Sequence, residues 1–290
     1  MTLSVPRSQS ADSSGSALRV LTNDDWRDFI RLISTDPDAY CVVGERTARG
    51  LNSQTAGGVT LGWFVDDRLT SAIFVGPNVI PIETSQPARR AFAERMAIMG
   101  RRSSAIVGYR EEVLDLWSML EDSWGQARDV RANQPLMTVI DNSAAVADLR
   151  VRAVEPVEVD ALLGPSIAMF EEEVGVSPVA GGRGASYRAR LSSAIRAGQV
   201  YAVISDGEVL FKAEVGAVSR DCAQIQGVWV QPRLRGSGIC APAMARVVEL
   251  VLRDHAPRAC LYANHHNVAA LRCYANVGFR QVGTFATVLF

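Results

Sequence analysis

Gln224-Ile225-Gln226-Gly227-Val228-Trp229-Val230-Gln231-Pro232-Arg233-Leu234-Arg235-Gly236-Ser237-Gly238-Ile239-Cys240-Ala241 changes character twice within one short stretch. Ile225, Val228 and Val230 are β-branched and Trp229 suits a pleated surface, so the stretch opens as a strand. Pro232 has no N–H to give to a ladder and ends it. Arg235-Gly236-Ser237-Gly238 is a loop, and an apolar helical run follows from Ile239 to Leu252. Strand, glycine loop and helix start are the parts of an anion cradle. Loop N–H groups converge, the helix N-terminus adds partial positive charge, and glycine lets a ligand come close to the backbone. Two nucleotide motifs are absent: no Gly-x-x-x-x-Gly-Lys-Ser/Thr occurs, Lys212 being the sole lysine, and Ala241 stands three places after Gly238, where a dinucleotide fingerprint needs glycine.

Downstream, Asn264-His265-His266-Asn267-Val268-Ala269-Ala270-Leu271-Arg272-Cys273-Tyr274-Ala275-Asn276-Val277-Gly278-Phe279 reads as a capped helix. Asn267 is a good N-cap, Ala270 and Tyr274 share a face four apart, and Gly278 suits a left-handed C-cap before Phe279 returns to the core. Together the two stretches resemble the GCN5-related N-acetyltransferase (GNAT) superfamily. The first is similar to its coenzyme A loop, Gln/Arg-x-x-Gly-x-Gly/Ala, with Arg235, Gly238 and Cys240 at the matching places. The second is similar to its Asn-x-x-Asn-x-x-Ala-x-x-x-Tyr-x-x-x-Gly-Phe helix. Cys240 stands where the pattern has glycine or alanine, and Tyr262 stands where some members carry a catalytic glutamate.

The chain is read as α/β (α+β), two tandem GNAT-like units, each a mixed, mostly antiparallel twisted sheet flanked by helices. Val59 to Val65 and Leu69 to Val75 pair across Asp66-Asp67-Arg68; Tyr201 to Ser205 and Val209 to Val218 pair across Asp206-Gly207. A strand, a helix, a strand and a helix follow each hairpin. The expected boundaries are a disordered, Ser-rich tail over 1–16, a degenerate GNAT-like domain without cofactor over 17–140, a linker over 141–148, and a catalytic GNAT domain over 149–290. In the first unit Glu83-Thr84-Ser85-Gln86-Pro87 replaces the cradle, and Trp117 stands where a tyrosine would be sought. The layout is similar to that of mycothiol-synthase-like acetyltransferases, in architecture only.

The resemblance implies an acyl-CoA-dependent N-acyltransferase. It transfers acetyl from acetyl-CoA to a primary amine, small-molecule or protein, by direct attack in a ternary complex. The backbone of Val228, Trp229 and Val230 pairs with the pantetheine arm, a strand N–H near Val230 polarises the carbonyl, and Arg235, Gly236, Ser237, Gly238, Ile239, Cys240 and Ala241 hold the pyrophosphate. Asn267 contacts the pantetheine or orders its helix, and Tyr274 is the general acid toward the leaving sulfur. Glu214 and Glu172, the latter within Glu171-Glu172-Glu173, are the carboxylates open as base or acceptor-binding group. His265 and His266 read first as exposed. Cys240 reads first as a small packed residue and second as a reactive thiol. The alternative function is a non-catalytic acyl-CoA-binding regulatory or sensor protein.

Composition bounds these readings. A net charge of −1 gives no basic field for nucleic acid. The five cysteines contain no Cys-x-x-Cys pair, so no metal is expected and the thiols suit a reducing cytoplasm. No run reaches transmembrane length, so no membrane partner is expected.

Overall fold

The computed structural model describes residues 10–12, 15–51, 56–141 and 145–290. Residues 1–9 and 13–14 of the expected disordered tail, and residues 142–144 of the expected linker, lie outside the described residues; Ser10–Asp12 of that tail are instead ordered as an edge strand, its backbone paired antiparallel with Ser16–Leu18. The chain divides into two compact units, one built from the residues up to Leu136 together with Val282–Phe290, the other from Met137–Gln281.

The first unit contains β1 (Ser10–Asp12), β2 (Ser16–Val20), α1 (Trp26–Ile33), α2 (Cys41–Thr47), β3 (Val59–Val65), β4 (Arg68–Val75), β5 (Asn78–Ile82), α3 (Gln86–Met99), β6 (Ala105–Tyr109), α4 (Arg110–Trp124) and most of β7 (Asp129–Val139). Its sheet runs β1-β2-β3-β4-β5-β6, then the chain's last strand β13 (Arg280–Leu289), then β7. Asp66 and Asp67 both take positive φ, the conformation that lets a two-residue turn follow the twist of β3 and β4. β5 and β6 pair in parallel at only two positions, Asn78↔Ala105 and Val79↔Ile106.

The second unit repeats this plan. It contains the end of β7, β8 (Arg152–Ala153), α5 (Val159–Val174), α6 (Gly184–Arg196), β9 (Val200–Ser205), β10 (Glu208–Val218), β11 (Ala223–Val230), α7 (Cys240–Asp254), β12 (Ala259–Tyr262) and α8 (Val268–Val277). The strand order is β7-β12-β11-β10-β9-β8. β9 and β10 turn through Asp206 and Gly207, again both at positive φ, and β11 pairs with β12 in parallel only at Ala223↔Ala259 and Gln224↔Cys260. Beyond Gln224, β11 continues to Val230 without that partner, so the two strands splay. Each unit is thus a mostly antiparallel mixed sheet with helices on both faces, as the motif order predicts.

Two differences from the expected boundaries have a common cause. The final strand is counted with the first unit rather than with 149–290: Phe285–Leu289 pair antiparallel with Tyr109–Ala105, and Ala286 and Val288 are buried in the core with Phe92, Ile106 and Leu116. Conversely, Met137 and Val139 join the core of the second unit, so the chain enters that unit before residue 141. A strand buried on both faces shows no periodicity that names its partner. Trp117 packs on Phe290 with ring centroids 5.4 Å apart, a core contact rather than a site position.

The cradle position of the first unit is internally bonded. Glu83 takes positive φ, its N–H donates to Tyr40 Oη at 3.1 Å, Thr84 N–H donates to Glu112 Oε1 at 3.1 Å, and Ser85 N–H donates to Ser71 Oγ at 3.2 Å. The donors that would face an anion are taken. Burial, opposed by the Thr84 bonds, pushes the Glu112 carboxyl up to about 7, and its Oε2 is buried without a partner. A carboxyl whose proton affinity rises on folding destabilises the fold as pH climbs from its unfolded value toward 7, with the full loss reached above 7. Glu112→Gln keeps an acceptor for Thr84 and removes that loss. The variant is expected to gain about 1–3 kcal/mol over the parent in urea unfolding at pH 8 and nothing at pH 4.

Candidate functional site

The second unit builds its site on an irregular strand. Between Gln226 and Trp229 the β10–β11 register slips by one residue, and Gly227 sits in the slip at φ 59°. This is a β-bulge with glycine at the left-handed position, and it re-aims the strand that follows. A Cβ at Gly227 would lie 3.2 Å from Met169 Cε and 3.4 Å from Lys212 Nζ, so a side chain there would be strained by its backbone and would crowd both neighbours.

Past the bulge the strand divides its side chains between two faces. Val228 and Val230 pack with Cys240, Ala241, Ala270 and Leu271 on the cluster that contains Cys273 and Tyr274. Trp229 turns to the opposite face and is buried with Leu162, Met169 and Leu191. Of the three strand residues expected at the site, Trp229 therefore offers only its backbone there.

A short 3-10 turn, Pro232–Leu234, leads into the loop. Gly236 and Gly238 take φ of 79° and 89°, and a Cβ at either would meet nothing within 4 Å. Glycine is required here by backbone conformation, and the space above it is open. Ser237 bonds back onto the preceding turn, with N–H and Oγ both donating to the Leu234 carbonyl. Among the described residues the N–H groups of Gly236 and Gly238 donate to no protein acceptor. The first intrahelical bond of α7 runs from Ala243 N–H to the Ile239 carbonyl at 3.2 Å, which leaves the N–H groups of the first turn pointing forward as helix geometry requires. Leu234, Ser237, Gly238, Ile239 and Pro242 line one wall of an open groove of about 590 Å³ that Arg150 and Leu210 help to close.

Arg235 lies at the edge of this loop. Its guanidinium donates to both oxygens of Glu172, at 2.9 and 3.0 Å, and its Nε to the Val230 carbonyl at 3.2 Å. Two residues expected to act separately thus hold each other. Both are about half exposed.

α8 carries the remaining motif. Asn267 caps it by accepting from Ala270 N–H at 3.2 Å, and Gly278 closes it in the left-handed conformation while Phe279 N–H returns to the Tyr274 carbonyl. Tyr274 is 7% exposed, and among the described residues its hydroxyl makes no hydrogen bond. Burial first, then the nearby Cys240, Cys273 and Glu173, push its proton affinity above that of an ordinary phenol. It is protonated throughout the neutral range. Cys273 Sγ donates to Cys240 Sγ at 2.8 Å.

The carboxylates sort clearly. Glu214 is 2% exposed; its Oε1 accepts from Lys212 Nζ at 2.6 Å and its Oε2 from Arg190 Nη1 at 3.4 Å. Burial raises its proton affinity, but Lys212 and Arg190 outweigh burial and hold it below the usual carboxylate range. With both oxygens engaged by cations, Glu214 is not poised to take a proton, which corrects its reading as a base. Glu172 is turned to Arg235. Glu173, one residue on, is the member of the acidic triplet that acts electrostatically on Tyr274. Sequence could name the triplet; the 100° step between successive helical residues turns its three carboxylates in different directions. His265 and His266 are exposed, as read.

Residues 166–279 match the acetyltransferase (GNAT) family, and residues 58–162 match a domain of unknown function, DUF4081. No curated protein matches the chain by sequence. Among solved structures, the chain is similar to a GCN5-related N-acetyltransferase from Sphaerobacter thermophilus (TM-score 0.58, 14% identity, 94% of this chain and 95% of that one). It is also similar to a GNAT-family acetyltransferase from Colwellia psychrerythraea (TM-score 0.55, 12% identity, 94% and 99%). A tandem GNAT protein from the clavulanic acid biosynthesis pathway aligns with TM-score 0.50 at 13% identity over 94% and 98%. At these identities the likeness is one of fold. Residues 166–279 of the second unit thus match a GNAT acetyltransferase domain, and the fold is that of GNAT structures, a tandem GNAT protein among them.

Proposed function

We propose that this chain is an acyl-CoA-dependent N-acyltransferase that moves an acetyl group from acetyl-CoA to a primary amine, with its chemistry in the second unit. One juxtaposition carries the reading. A bulged strand splays from its parallel neighbour, runs into a loop whose glycine N–H groups are unclaimed, and faces a helix that presents a protonated, unbonded tyrosine hydroxyl. Acetyl-CoA, when bound, supplies the activated thioester carbonyl. Val228–Val230 offer backbone for a pantetheine arm to pair with, as an added strand would. Gly236, Gly238 and the first turn of α7 offer N–H groups to a pyrophosphate. A strand N–H near Val230 polarises the carbonyl. Tyr274 gives its proton to the departing sulfur as the C–S bond breaks. Glu173 holds the acceptor amine or takes its proton. The first unit, with its cradle donors already bonded, acts without cofactor.

Arg235 is the phosphate-side cation in this reading, and a bound phosphate competes with Glu172 for it. Arg235→Ala is expected to raise the acetyl-CoA KM about tenfold with kcat little changed, the loss of one charge-assisted hydrogen bond.

The engaged state of Glu214 favours one alternative, an acyl-CoA-binding regulatory protein without turnover. The two readings separate in one experiment. Purified protein is given acetyl-CoA and a panel of small amines and peptides with free amines, and thiol release is followed. Coenzyme A release that depends on both protein and amine supports the transferase. Saturable acetyl-CoA binding with no amine-dependent release across the panel supports the regulator.

A further inference from the structure

Cys240 and Cys273 sit 33 positions apart in sequence with their sulfurs 2.8 Å apart. Cys240 opens α7 and Cys273 lies inside α8, and both side chains meet in the core cluster of the second unit. Cys240 is half-buried and Cys273 buried, so one member of the pair is within reach of a small reagent and the other is shielded. The hydrogen bond from Cys273 lowers the Cys240 proton affinity against the burial that raises it, and a helix N-terminus favours a thiolate in the same sense. Cys273 is shifted the opposite way and keeps its proton. The pair therefore combines an accessible, acidified thiol with a protonated thiol in contact with it, the arrangement of an attacking and a resolving cysteine. The other cysteines, Cys41, Cys222 and Cys260, are all buried.

We propose that Cys240 and Cys273 form a reversible intrachain disulfide, made by hydroperoxides, that closes the cofactor site of the second unit. The Cys240 thiolate attacks one peroxide oxygen, the O–O bond breaks, and a sulfenic acid and hydroxide form. The Cys273 thiol then attacks the Cys240 sulfur, the S–O bond breaks, and the leaving hydroxide takes up the proton that Cys273 loses. Overall two thiols and one hydrogen peroxide give one disulfide and two waters, with two electrons passing from sulfur to oxygen. The sulfurs need to approach by only about 0.8 Å to reach bonded length. The bond ties the start of α7, where the glycine loop ends, to the residue before Tyr274, on the cluster that Val228 and Val230 also face. That the bridge blocks cofactor rests on the function proposed above; that it forms does not.

The test uses the whole chain, reduced and then treated with hydrogen peroxide in the absence of added thiol. Intact mass and digested-peptide mass are read beside coenzyme A binding by calorimetry. The expected result is a protein lighter by two hydrogen atoms, with the Cys240 peptide linked to the Cys273 peptide. Coenzyme A affinity falls at least tenfold and returns with dithiothreitol. Cys240→Ser and Cys273→Ser should each abolish the mass loss, and wild-type peptide mapping gives the answer even where a variant misfolds. A stable added oxygen on Cys240, a link through another cysteine, or no change under peroxide that oxidises free glutathione would overturn the disulfide. A bridge that forms without altering coenzyme A affinity would overturn the closing role. Reduced protein that binds no coenzyme A at all would instead sink the proposed function and leave the disulfide standing.

Discussion

Tyr274→Phe is expected to lower kcat for acetyl transfer about 100-fold while the acetyl-CoA KM stays within a factor of two. The change removes one oxygen and keeps the ring, which packs at 5.9 Å from Phe279. Because the hydroxyl makes no hydrogen bond among the described residues, the fold loses nothing that depends on it, and the melting temperature should be unchanged. What is lost is the proton for the leaving thiolate, a contribution of general-acid size. A more acidic thiol needs that proton less. The deficit of the variant should therefore shrink for an acetyl thioester of an acidic thiol, a readout that a merely structural role for Tyr274 would not move. The pH profile supplies a second check. Burial, the neighbouring thiols and Glu173 raise this phenol above the ordinary range near 10. Wild-type kcat should consequently show no fall from loss of the Tyr274 proton up to about pH 10. Equal kcat for parent and variant would remove Tyr274 from the mechanism and leave proton delivery to solvent.

Those features of the site that depend on near neighbours in sequence were legible. Asn267, Tyr274 and Gly278 lie within one helix and its caps, and the structure places them as the spacing predicts. The hairpin turns at Asp66-Asp67 and Asp206-Gly207 were legible for the same reason, since a two-residue turn at positive φ selects its own residue types. The limits appear wherever a partner is distant. β13 and β7 are ordinary apolar strands whose sheet neighbours depend on long-range pairing, so the boundary of the second unit could not be read from composition. α2 is a single short helix held by tertiary packing, with Cys41, Val43 and Thr47 buried, and it gives no periodic signal of useful length. Arg235 and Glu172 were each singled out, but their mutual bond spans 63 positions. Cys240 stood out as a departure from a loop pattern; only the fold shows that Cys273 stands beside it.

Lys212→Met is expected to be the most destabilising single change considered, costing about 3–5 kcal/mol and lowering the melting temperature on the order of 10 °C. Lys212 is fully buried, and its ammonium is 2.6 Å from Glu214. Methionine fills the stem's volume but leaves a carboxylate 2% exposed, with Arg190 at 3.4 Å as its remaining cation. An uncompensated buried charge costs far more than the intact pair contributes. The double variant Lys212→Met with Glu214→Leu should therefore recover most of the loss, a non-additivity that only a coupled pair produces. The sign of the pH dependence makes the argument independent of packing. In the parent, Glu214 is held ionised below the usual range, so its favourable share is present above the unfolded carboxylate value and is lost as pH falls through its folded value. Without Lys212, burial dominates and raises the carboxyl, so the penalty grows as pH rises from about 4.5. Urea unfolding should thus show a large defect at pH 8 that narrows at pH 4.5, where the stranded carboxyl takes a proton. A defect of equal size at both pH values would mean that the loss is one of shape. The Lys212 ammonium also lies against the Gly227 bulge, so the ion pair braces the turn that re-aims Val228–Val230. The single variant should then weaken acetyl-CoA binding even at temperatures where it stays folded, and the double variant, which restores stability but not the ammonium, should keep that binding defect.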